Sequence, residues 1–210
     1  MVTIPAPMRA PTQVRQAFSS PDWLYEIKFD GYRCMAGIED GQAELRTKSG
    51  ANCTHWYPEV AEVLATLPGG PHVIDGEACV LDEWGRSDFN RLEARSKRRK
   101  WYAGADQVTL CAFDLLVLDG QRVIDRPLTQ RKALLRELLA RLPKAEVMYV
   151  GDLDADAGLF NQVVMQLKLE GFMAKRRASR YQPGVVSEDW LKIKRPGWQE
   201  GRRWKGKKAG

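Results

Sequence analysis

Short apolar runs bounded by turn residues recur along the whole chain, and they constrain the fold more than any other feature of the sequence. Runs of this length, several with alternating polarity, are typical of β-strands. The strand candidates are residues 24–29, 34–39, 43–47, 72–81, 108–118, 146–150, 171–176 and 190–194. Two breaks, at Glu39 to Gln42 and at Leu118 to Gln121, contain the Asp-Gly pair that favours tight hairpin turns. The pattern therefore predicts antiparallel pairing.

Three other segments, residues 57–67, 129–142 and 158–170, have the apolar spacing of helices. The residues that share a face are Val60, Val63, Leu64 and Leu67 in the first helix, and Leu134, Leu135, Leu138, Leu139 and Leu142 in the second. Pro68 and Pro143 follow these two helices as stop signals. Because strands outnumber helices, the predicted class is α+β with antiparallel sheets, not a regular βαβ alternation.

Charge and cysteine usage narrow the class of protein. The formal net charge is +6 and the sequence pI is about 9.2, which favours a polyanionic partner such as nucleic acid. The four cysteines form neither a CxxC nor a zinc pattern, so we expect buried thiols in a reducing cytoplasm. No window approaches the roughly 20 apolar residues of a membrane span, and prolines interrupt the N-terminus where a secretory signal needs an apolar stretch. The predicted location is cytoplasmic.

The end of the chain differs from the rest. After Pro196 the sequence is rich in glycine and basic residues and lacks periodicity, which is typical of a flexible tail. We therefore expect one domain over residues 1–196, followed by a basic tail over residues 197–210.

Lys28 stands between Ile27 and Phe29 in a strand pattern, and two interpretations are open. A solvent-facing lysine on an edge strand is the common case. A nucleophile is the alternative, because desolvation and neighbouring cations favour the neutral amine that covalent catalysis needs. The second interpretation requires further cations and a phosphate or carbonyl site elsewhere in the sequence.

Five motifs in a fixed order carry a family resemblance. "KFDGYR" at residues 28–33 resembles the KxDGxR signature of the covalent nucleotidyltransferases, which are ATP-dependent DNA ligases, RNA ligases and mRNA capping enzymes. "VIDGEACVLD", "CAFDLLVLDG", "EGFMAKR" and "WLKIK" resemble the family's later motifs in order, and "SRYQPGVVSEDWLKIK" is similar to the corresponding stretch of bacterial end-joining ligases. The resemblance spans residues 23–195 and implies two antiparallel sheets flanked by helices, with the nucleotide between them.

The resemblance implies a role for each motif residue. Lys28 would attack the α-phosphate of ATP, expel pyrophosphate and retain AMP as a phosphoramidate. Arg33 and Glu77 would hold the ribose hydroxyls through charge-assisted hydrogen bonds. Phe113 would stack on the adenine and Glu26 would lie beside it. From the residues alone, a core aromatic at Phe113 and a solvated strand carboxylate at Glu26 also remain open.

Further motif residues would hold the metal and the phosphates. Glu77 and Glu170 would supply carboxylates to a divalent cation, expected to be Mg²⁺ because hard oxygen ligands and a triphosphate suit it. Lys192 and Lys194 share one face of a strand, and they would neutralise the α-phosphate and favour the neutral amine of the nucleophile. A solvent-facing pair is the alternative from the residues alone. Lys175 would support the nucleotide site.

The segment "LRTKSGANCTHWYPE" resembles a further ligase motif written S-R-x-G-x-D-x-T, in which Thr47, Lys48, Asn52 and Thr54 occupy the matching places. Lys48 would contact the nucleotide or a DNA phosphate, without the bidentate fork of the arginine it replaces. Asn52 replaces an aspartate and so removes a charge.

A basic segment, "LEARSKRRKWY", has two interpretations. Its cations are Arg95, Lys97, Arg98, Arg99 and Lys100. A solvated basic loop is the default, and a salt-sensitive contact with a phosphate backbone is the alternative. Trp101, Trp198 and Trp204 adjoin basic residues, where they could stack on bases or pack within the protein.

The resemblance implies the adenylation domain of an ATP-dependent DNA ligase, which passes AMP to the 5′-phosphate of nicked or broken DNA for sealing in repair. Family ligases usually continue beyond WxKxK into an OB-fold domain, and this sequence ends soon after that motif. We therefore expect the adenylation domain alone, and two interpretations stay open: a domain taken from a larger ligase, or a minimal protein for which a separate chain could supply OB-fold or DNA-binding functions. An RNA ligase or capping-type enzyme and a non-catalytic nucleic-acid-binding relic of the fold are the alternatives.

Overall fold

Two β-sheets form the framework of the protein, seen here in a computed structural model that describes residues 1–10, 13–14, 16–142, 146–153 and 157–198. The strands are β1 (Gln13–Val14), β2 (Trp23–Ile27), β3 (Tyr32–Glu39), β4 (Gln42–Thr47), β5 (His72–Cys79), β6 (Thr109–Leu118), β7 (Gln121–Arg122), β8 (Val147–Tyr149), β9 (Asp152–Leu153), β10 (Gly171–Arg176) and β11 (Trp190–Lys194). The helices are α1 (Pro58–Leu64), α2 (Phe89–Lys97), α3 (Leu128–Leu139) and α4 (Ala157–Gln166), and a 3-10 turn covers Thr54–Trp56.

The strand pairing confirms the predicted α+β class. The first sheet has the order β1, β11, β10, β2 and β9, and the second has the order β4, β3, β5, β6 and β7, with β8 paired to β6. Among the strands that the structure describes, pairing is antiparallel except between β1 and β11 and between β6 and β8, which run parallel. Both predicted hairpins are present, because Asp40, Gly41, Asp119 and Gly120 all have the positive φ angles of a tight turn.

The sequence prediction was wrong about Arg95, which lies in helix α2 and not in a solvated basic loop. The side chain of Asp88 accepts a hydrogen bond from the backbone N–H of Arg91 and so caps this helix. The guanidinium of Arg95 is fully buried, donates to the carbonyl oxygens of Lys100 and Asp106, and pairs with Glu59 at 3.3 Å. A single buried apolar residue, Leu92, gives this short helix too weak a periodicity to detect.

The largest hydrophobic core lies between the second sheet and the helices α1 and α3. The four cysteines are buried and free, as expected. Within the described ranges, none of the helices has both the length and the apolar character needed to cross a membrane.

The basic tail, the stop signal at Pro143 and the tryptophans beside basic residues are the remaining features predicted from the sequence. Residues 199–210, and with them Trp204, lie outside the described residues, as does the stop signal at Pro143. Trp198 lies beside the motif lysine Lys194, whose Nζ atom is 3.5 Å from the centroid of the indole ring. The side chain of Trp101 is 56% exposed.

Candidate active site

A cavity of about 850 Å³ opens between the two sheets. The first sheet contributes Glu26, Met173, Lys175, Trp190 and Lys192 to its walls, and the second contributes Arg33, Thr47, Glu77 and Phe113. Cavities of this size hold ligands as large as a nucleotide. The cavity therefore lies where the sequence analysis expects the nucleotide, between the two sheets, and it is large enough to hold one.

Lys28 lies at the junction of the two sheets, one residue beyond the end of β2, and so just outside the strand in which the sequence placed it. Its backbone N–H donates to the carbonyl oxygen of Gly171, and its Nζ atom lies 2.8 Å from Oε2 of Glu170. Gly31, three residues later, is required by close packing, since a Cβ atom there would lie 2.2 Å from the carbonyl oxygen of Ala78. The local backbone thus fixes Lys28 against Glu170 at the cavity wall.

Glu170 joins two of the motif lysines. Its second oxygen, Oε1, lies 2.8 Å from Nζ of Lys194, so one carboxylate pairs with Lys28 and Lys194 together. Burial lowers the pKa of nearby Lys192, and the positive charges of Lys28, Lys194 and Lys48 lower it further. This concentration of positive charge is suited to a polyphosphate.

Glu77 is the second motif carboxylate, and it is paired with Arg33 in the register of β3 and β5. Burial raises its pKa to about 6, because the attraction of Lys28 and Arg33 does not offset the loss of solvation and the repulsion from Glu170. A carboxylate in this state gains from a divalent cation, which would replace the lost solvation.

Glu77 leads to a prediction about the pH dependence of folding. Native Glu77 holds its proton up to about pH 6, whereas the unfolded chain loses that proton near pH 4.5, so this residue's contribution to stability declines as the pH rises through that window. In Glu77→Gln we expect the decline to be smaller by up to about 2 kcal/mol. Urea unfolding between pH 4.5 and 7 measures the difference. Glu62→Gln, at an exposed position on α1, should follow the parent, and parallel curves for Glu77→Gln and the parent would contradict the prediction.

Arg33 is held by a partner that the sequence did not reveal. Its Nε and Nη2 atoms each lie 2.5 Å from an oxygen of Asp75, and Asp75 also accepts a hydrogen bond of 2.6 Å from the hydroxyl of Tyr181. Nη2 donates to the carbonyl oxygen of Met8 as well, so Nη1 is the nitrogen left for a ligand. The guanidinium carbon lies 4.8 Å from the centroid of the Phe113 ring, which orients this group at the cavity wall.

Glu26 is buried, which excludes the solvated strand carboxylate that the sequence left open. Its Oε1 atom lies 2.6 Å from Nζ of Lys132 and its Oε2 atom 2.6 Å from Nζ of Lys175. Lys175 also lies over the rings of Phe113 and Trp190, at 4.3 Å and 4.2 Å from their centroids. Lys132, on α3, was not singled out from the sequence.

Lys48 is exposed at the rim of the cavity beside Thr47. Asn52 stabilises the adjacent turn, since its Oδ1 atom accepts a hydrogen bond from the backbone N–H of Thr54. The Oγ1 atom of Thr54 in turn accepts from the backbone N–H of Leu45. Asn52 and Thr54 therefore shape the loop that carries Lys48.

The donor set is compatible with a magnesium ion that the substrate helps to hold. Among the described residues, no cluster of three or more potential protein ligands is present. Glu170 lies close enough to Glu77 for its negative charge to raise the pKa of the Glu77 carboxyl, and two carboxylates with substrate phosphates are a usual magnesium environment. The site therefore fits Mg²⁺ bound with a nucleotide better than Mg²⁺ bound by protein alone.

The structure brings the expected site residues together around one cavity. Those that line it are Glu26, Lys28, Arg33, Lys48, Glu77, Phe113, Lys175 and Lys192. The two others are connected to the cavity wall by ion pairs. Glu170 pairs with the cavity residue Lys28, and Lys194 pairs with Glu170. Asp75 and Lys132 are the additional residues that sequence reasoning missed.

A family model and a search for relatives of this chain agree on one protein family. A family model described as "ATP dependent DNA ligase domain" matches residues 5–194. The multifunctional non-homologous end joining DNA repair protein LigD of Mycobacterium tuberculosis is 34% identical over 196 residues, which are 93% of this chain and 24% of that protein. The chain thus spans about a quarter of the length of this relative.

Solved structures agree with this result. A mycobacterial DNA ligase D complexed with ATP and MES has a TM-score of 0.79 and 32% identity, over 90% of this chain and 60% of the other. The DNA ligase-adenylate of Chlorella virus has a TM-score of 0.61 over 92% of this chain and 69% of the other. At 16% identity, the second match supports the shared fold alone.

Proposed function

The chain belongs to the family of ATP-dependent DNA ligase domains, and on that premise we propose that it takes AMP from ATP onto Lys28 and passes it to DNA. The proposal depends on one observation. The Nζ atom of Lys28 lies 2.8 Å from Oε2 of Glu170, in the wall of a cavity that is large enough for a nucleotide and rich in lysine. ATP is therefore the proposed substrate, consistent with the solved mycobacterial relative that is complexed with ATP.

The first step forms a bond between Nζ of Lys28 and the α-phosphorus and breaks the bond from that phosphorus to the oxygen bridging to the β-phosphate. Pyrophosphate leaves with the electron pair of that bond. The ammonium of Lys28 must first lose a proton, and the nearest carboxylate oxygen is Oε2 of Glu170 at 2.8 Å. Lys192 and Lys194 are the cations placed to compensate the charge that develops on the phosphate oxygens.

The remaining roles follow from position in the cavity wall. Phe113 offers a ring face for the base and Glu26 an acceptor beside it, while Arg33 and Glu77 are adjacent for the ribose hydroxyls. Glu77 and Glu170 would hold Mg²⁺, which compensates phosphate charge when bound. Lys175 supports this wall through its ion pair with Glu26.

In the second and third steps AMP passes to the 5′-phosphate of a DNA nick or end, and the 3′-hydroxyl then displaces AMP to seal the strand. The M. tuberculosis relative is named as a DNA repair protein of non-homologous end joining, which favours DNA repair as the setting. A separate chain that supplies OB-fold functions stays a prediction. So does the cytoplasmic location, which the four buried free thiols support.

The test is intact mass spectrometry of the purified chain after incubation with ATP and Mg²⁺, followed by addition of a nicked DNA duplex. We expect an acid-labile gain equal to AMP and its loss when DNA is added. Protein as purified must first be shown free of AMP. The same nick made in RNA separates a DNA ligase from an RNA ligase, and absence of an adduct together with retained binding of nicked DNA would favour the non-catalytic alternative.

The basic segment at the end of α2 is the surface we propose for the DNA backbone. Arg98 lies 4.0 Å from the centroid of the Tyr102 ring, and Arg99 lies 5.3 Å from that of Trp56, which lines the cavity. Buried Arg95 donates to the carbonyl oxygen of Lys100 and so fixes the loop. Within the described ranges, Arg98, Arg99 and Lys100 make no ion pair, which leaves their charges available for phosphates.

Replacing Arg98, Arg99 and Lys100 together by alanine should weaken binding of nicked DNA. We expect the slope of log affinity against log salt to fall by about 3, one for each lost phosphate contact. Fluorescence anisotropy between 50 and 200 mM salt, roughly the range over which such contacts are most visible, measures the slope. A control that replaces the exposed Arg122, Arg136 and Arg141 removes the same charge away from the cavity. Equal slopes in the two variants would refute the proposed surface.

A further inference from the structure

Glu26 lies between two lysines that are themselves buried. The side chains of Glu26, Lys132 and Lys175 are each 2–3% exposed, and the two lysine Nζ atoms lie 2.6 Å from different oxygens of the one carboxylate. Lys132 reaches this position from α3, is not among the residues that line the cavity, and also donates to the carbonyl oxygen of Val150 at 2.8 Å. The cluster therefore places one carboxylate between two amino groups that are almost fully shielded from solvent, with Asp152, whose Oδ1 atom is 3.8 Å from Nζ of Lys132, as a further carboxylate at its edge.

Such a cluster is a poor way to stabilise a fold. Desolvation of three charged groups costs more than their mutual attraction usually returns, and apolar side chains of similar volume would do as well or better. Burial lowers the pKa of Lys175, and the charge of Lys132 acts in the same direction. Burial also acts to lower the pKa of Lys132, but the attraction of Glu26 and Tyr149 outweighs it and the net direction is upward. Of the two lysines that pair with Glu26, Lys132 therefore keeps its positive charge more strongly than Lys175.

The position of Glu26 indicates what the cluster does. Each carboxylate oxygen can accept more than one hydrogen bond, so an oxygen that accepts from a lysine keeps acceptor capacity toward the cavity that Glu26 lines. A carboxylate held at both oxygens cannot rotate away, and it can only accept. An amino group of a ligand would be bound there, while a carbonyl oxygen at the same place would face a fixed negative charge.

We propose that Lys132 is a positioning residue that sets base selectivity, by fixing Glu26 as an acceptor that favours a purine with a 6-amino group over one with a 6-oxo group. The inference rests on the proposed function, in that the ligand of this cavity is a nucleotide. It extends that function to a residue outside the motifs, which does not line the cavity and acts through Glu26.

The test compares ATP with GTP as probes in the parent chain and in Lys132→Met, which keeps the length of the side chain and removes its charge. Rates of nucleotide addition to Lys28 are followed by intact mass, and equilibrium binding of each nucleotide is measured by calorimetry. We expect the preference for ATP over GTP to fall by about tenfold or more in the variant, since Glu26 is then free to turn toward Lys175.

Two further variants separate positioning from a structural role. In a Glu26→Ala background the Lys132→Met change should leave the ATP to GTP ratio unaltered, because the acceptor through which Lys132 acts on the base is absent. Lys132→Arg, which retains a charged donor, should keep the preference, and it keeps the test available if Lys132→Met does not fold. Arg136→Met, exposed on the same helix, is the matched control.

The outcomes are distinct. A Lys132→Met protein that unfolds more easily but keeps the parent's ATP to GTP ratio would overturn the inference, as would a parent without preference. Where Lys132→Met does not fold, loss of the preference in folded Lys132→Arg would overturn it too. Selective binding of ATP without any adduct would count against the proposed chemistry and leave the inference standing.

Discussion

Replacing Lys28 by alanine is expected to abolish the AMP adduct, lowering its rate of formation by more than about 10³-fold. Of the two lysines that pair with Glu170, Lys28 is the one that lines the cavity, and alanine at this position offers no atom that could bond to phosphorus. Intact mass after incubation with ATP and Mg²⁺ measures the effect. Binding of ATP should change far less, because the ring of Phe113 and the other lysines of the wall remain.

Lys28→Arg sharpens this experiment. Arginine retains the positive charge opposite Glu170 but stays protonated at all working pH values, so it too should give no adduct while preserving the fold. Lys97→Ala, at an exposed position on α2, is the matched control and should form the adduct at the parent rate. An adduct on the Lys28→Ala chain, mapped by peptide sequencing to Lys192 or Lys194, would show that the nucleophile has been misassigned.

Most of the strands and turns could be predicted because their sequence patterns involve only residues that are close together in the chain. The apolar run of strand β3, the alternating lysines of β11 and the Asp-Gly turns depend on neighbours a few residues apart. The motif order likewise located the cavity lining, since each motif carries its own signature. Partners far apart in sequence were not recoverable. Asp75 binds Arg33 and accepts a hydrogen bond from Tyr181, which lies 106 positions further along the chain. A single sequence has no pattern that would connect residues so far apart.

A signal for the buried cations was nevertheless present. Arg131 and Lys132 follow Leu128 by three and four positions and precede Leu135 by four and three, which places both on the apolar face of α3. Arg95 similarly follows Leu92 by three positions in α2. A charged residue in the apolar stripe of a helix indicates a buried partner, although the sequence does not identify that partner.

Arg131 is accordingly the residue whose loss should most destabilise the fold. Arg131 and Asp114 are both fully buried, and the Nε and Nη2 atoms of Arg131 lie 2.8 Å and 2.9 Å from the two oxygens of Asp114. Nη1 donates to the carbonyl oxygens of Arg126 and Ser179, and Ser179 lies just beyond the end of β10 in the first sheet. One side chain therefore links helix α3, strand β6 of the second sheet and the segment that connects β10 to β11 of the first sheet.

For Arg131→Met we expect a loss of about 3–5 kcal/mol in the free energy of unfolding, measured by urea denaturation. The variant leaves the carboxylate of Asp114 buried without its partner and two carbonyl oxygens without a donor, and these penalties exceed the apolar packing that methionine regains. Arg136→Met, exposed on the same helix, should stay within about 0.5 kcal/mol of the parent.

The double variant Arg131→Met with Asp114→Leu distinguishes an unpaired charge from a damaged packing site. Because an apolar pair of similar volume can replace a buried ion pair with little cost, we expect the double variant to recover most of the lost stability. If the stability losses of the two single variants simply added in the double variant, the guanidinium would act mainly by bridging the carbonyl oxygens of Arg126 and Ser179. Arg131 would then stabilise the fold by linking the two sheets and not by compensating the charge of Asp114.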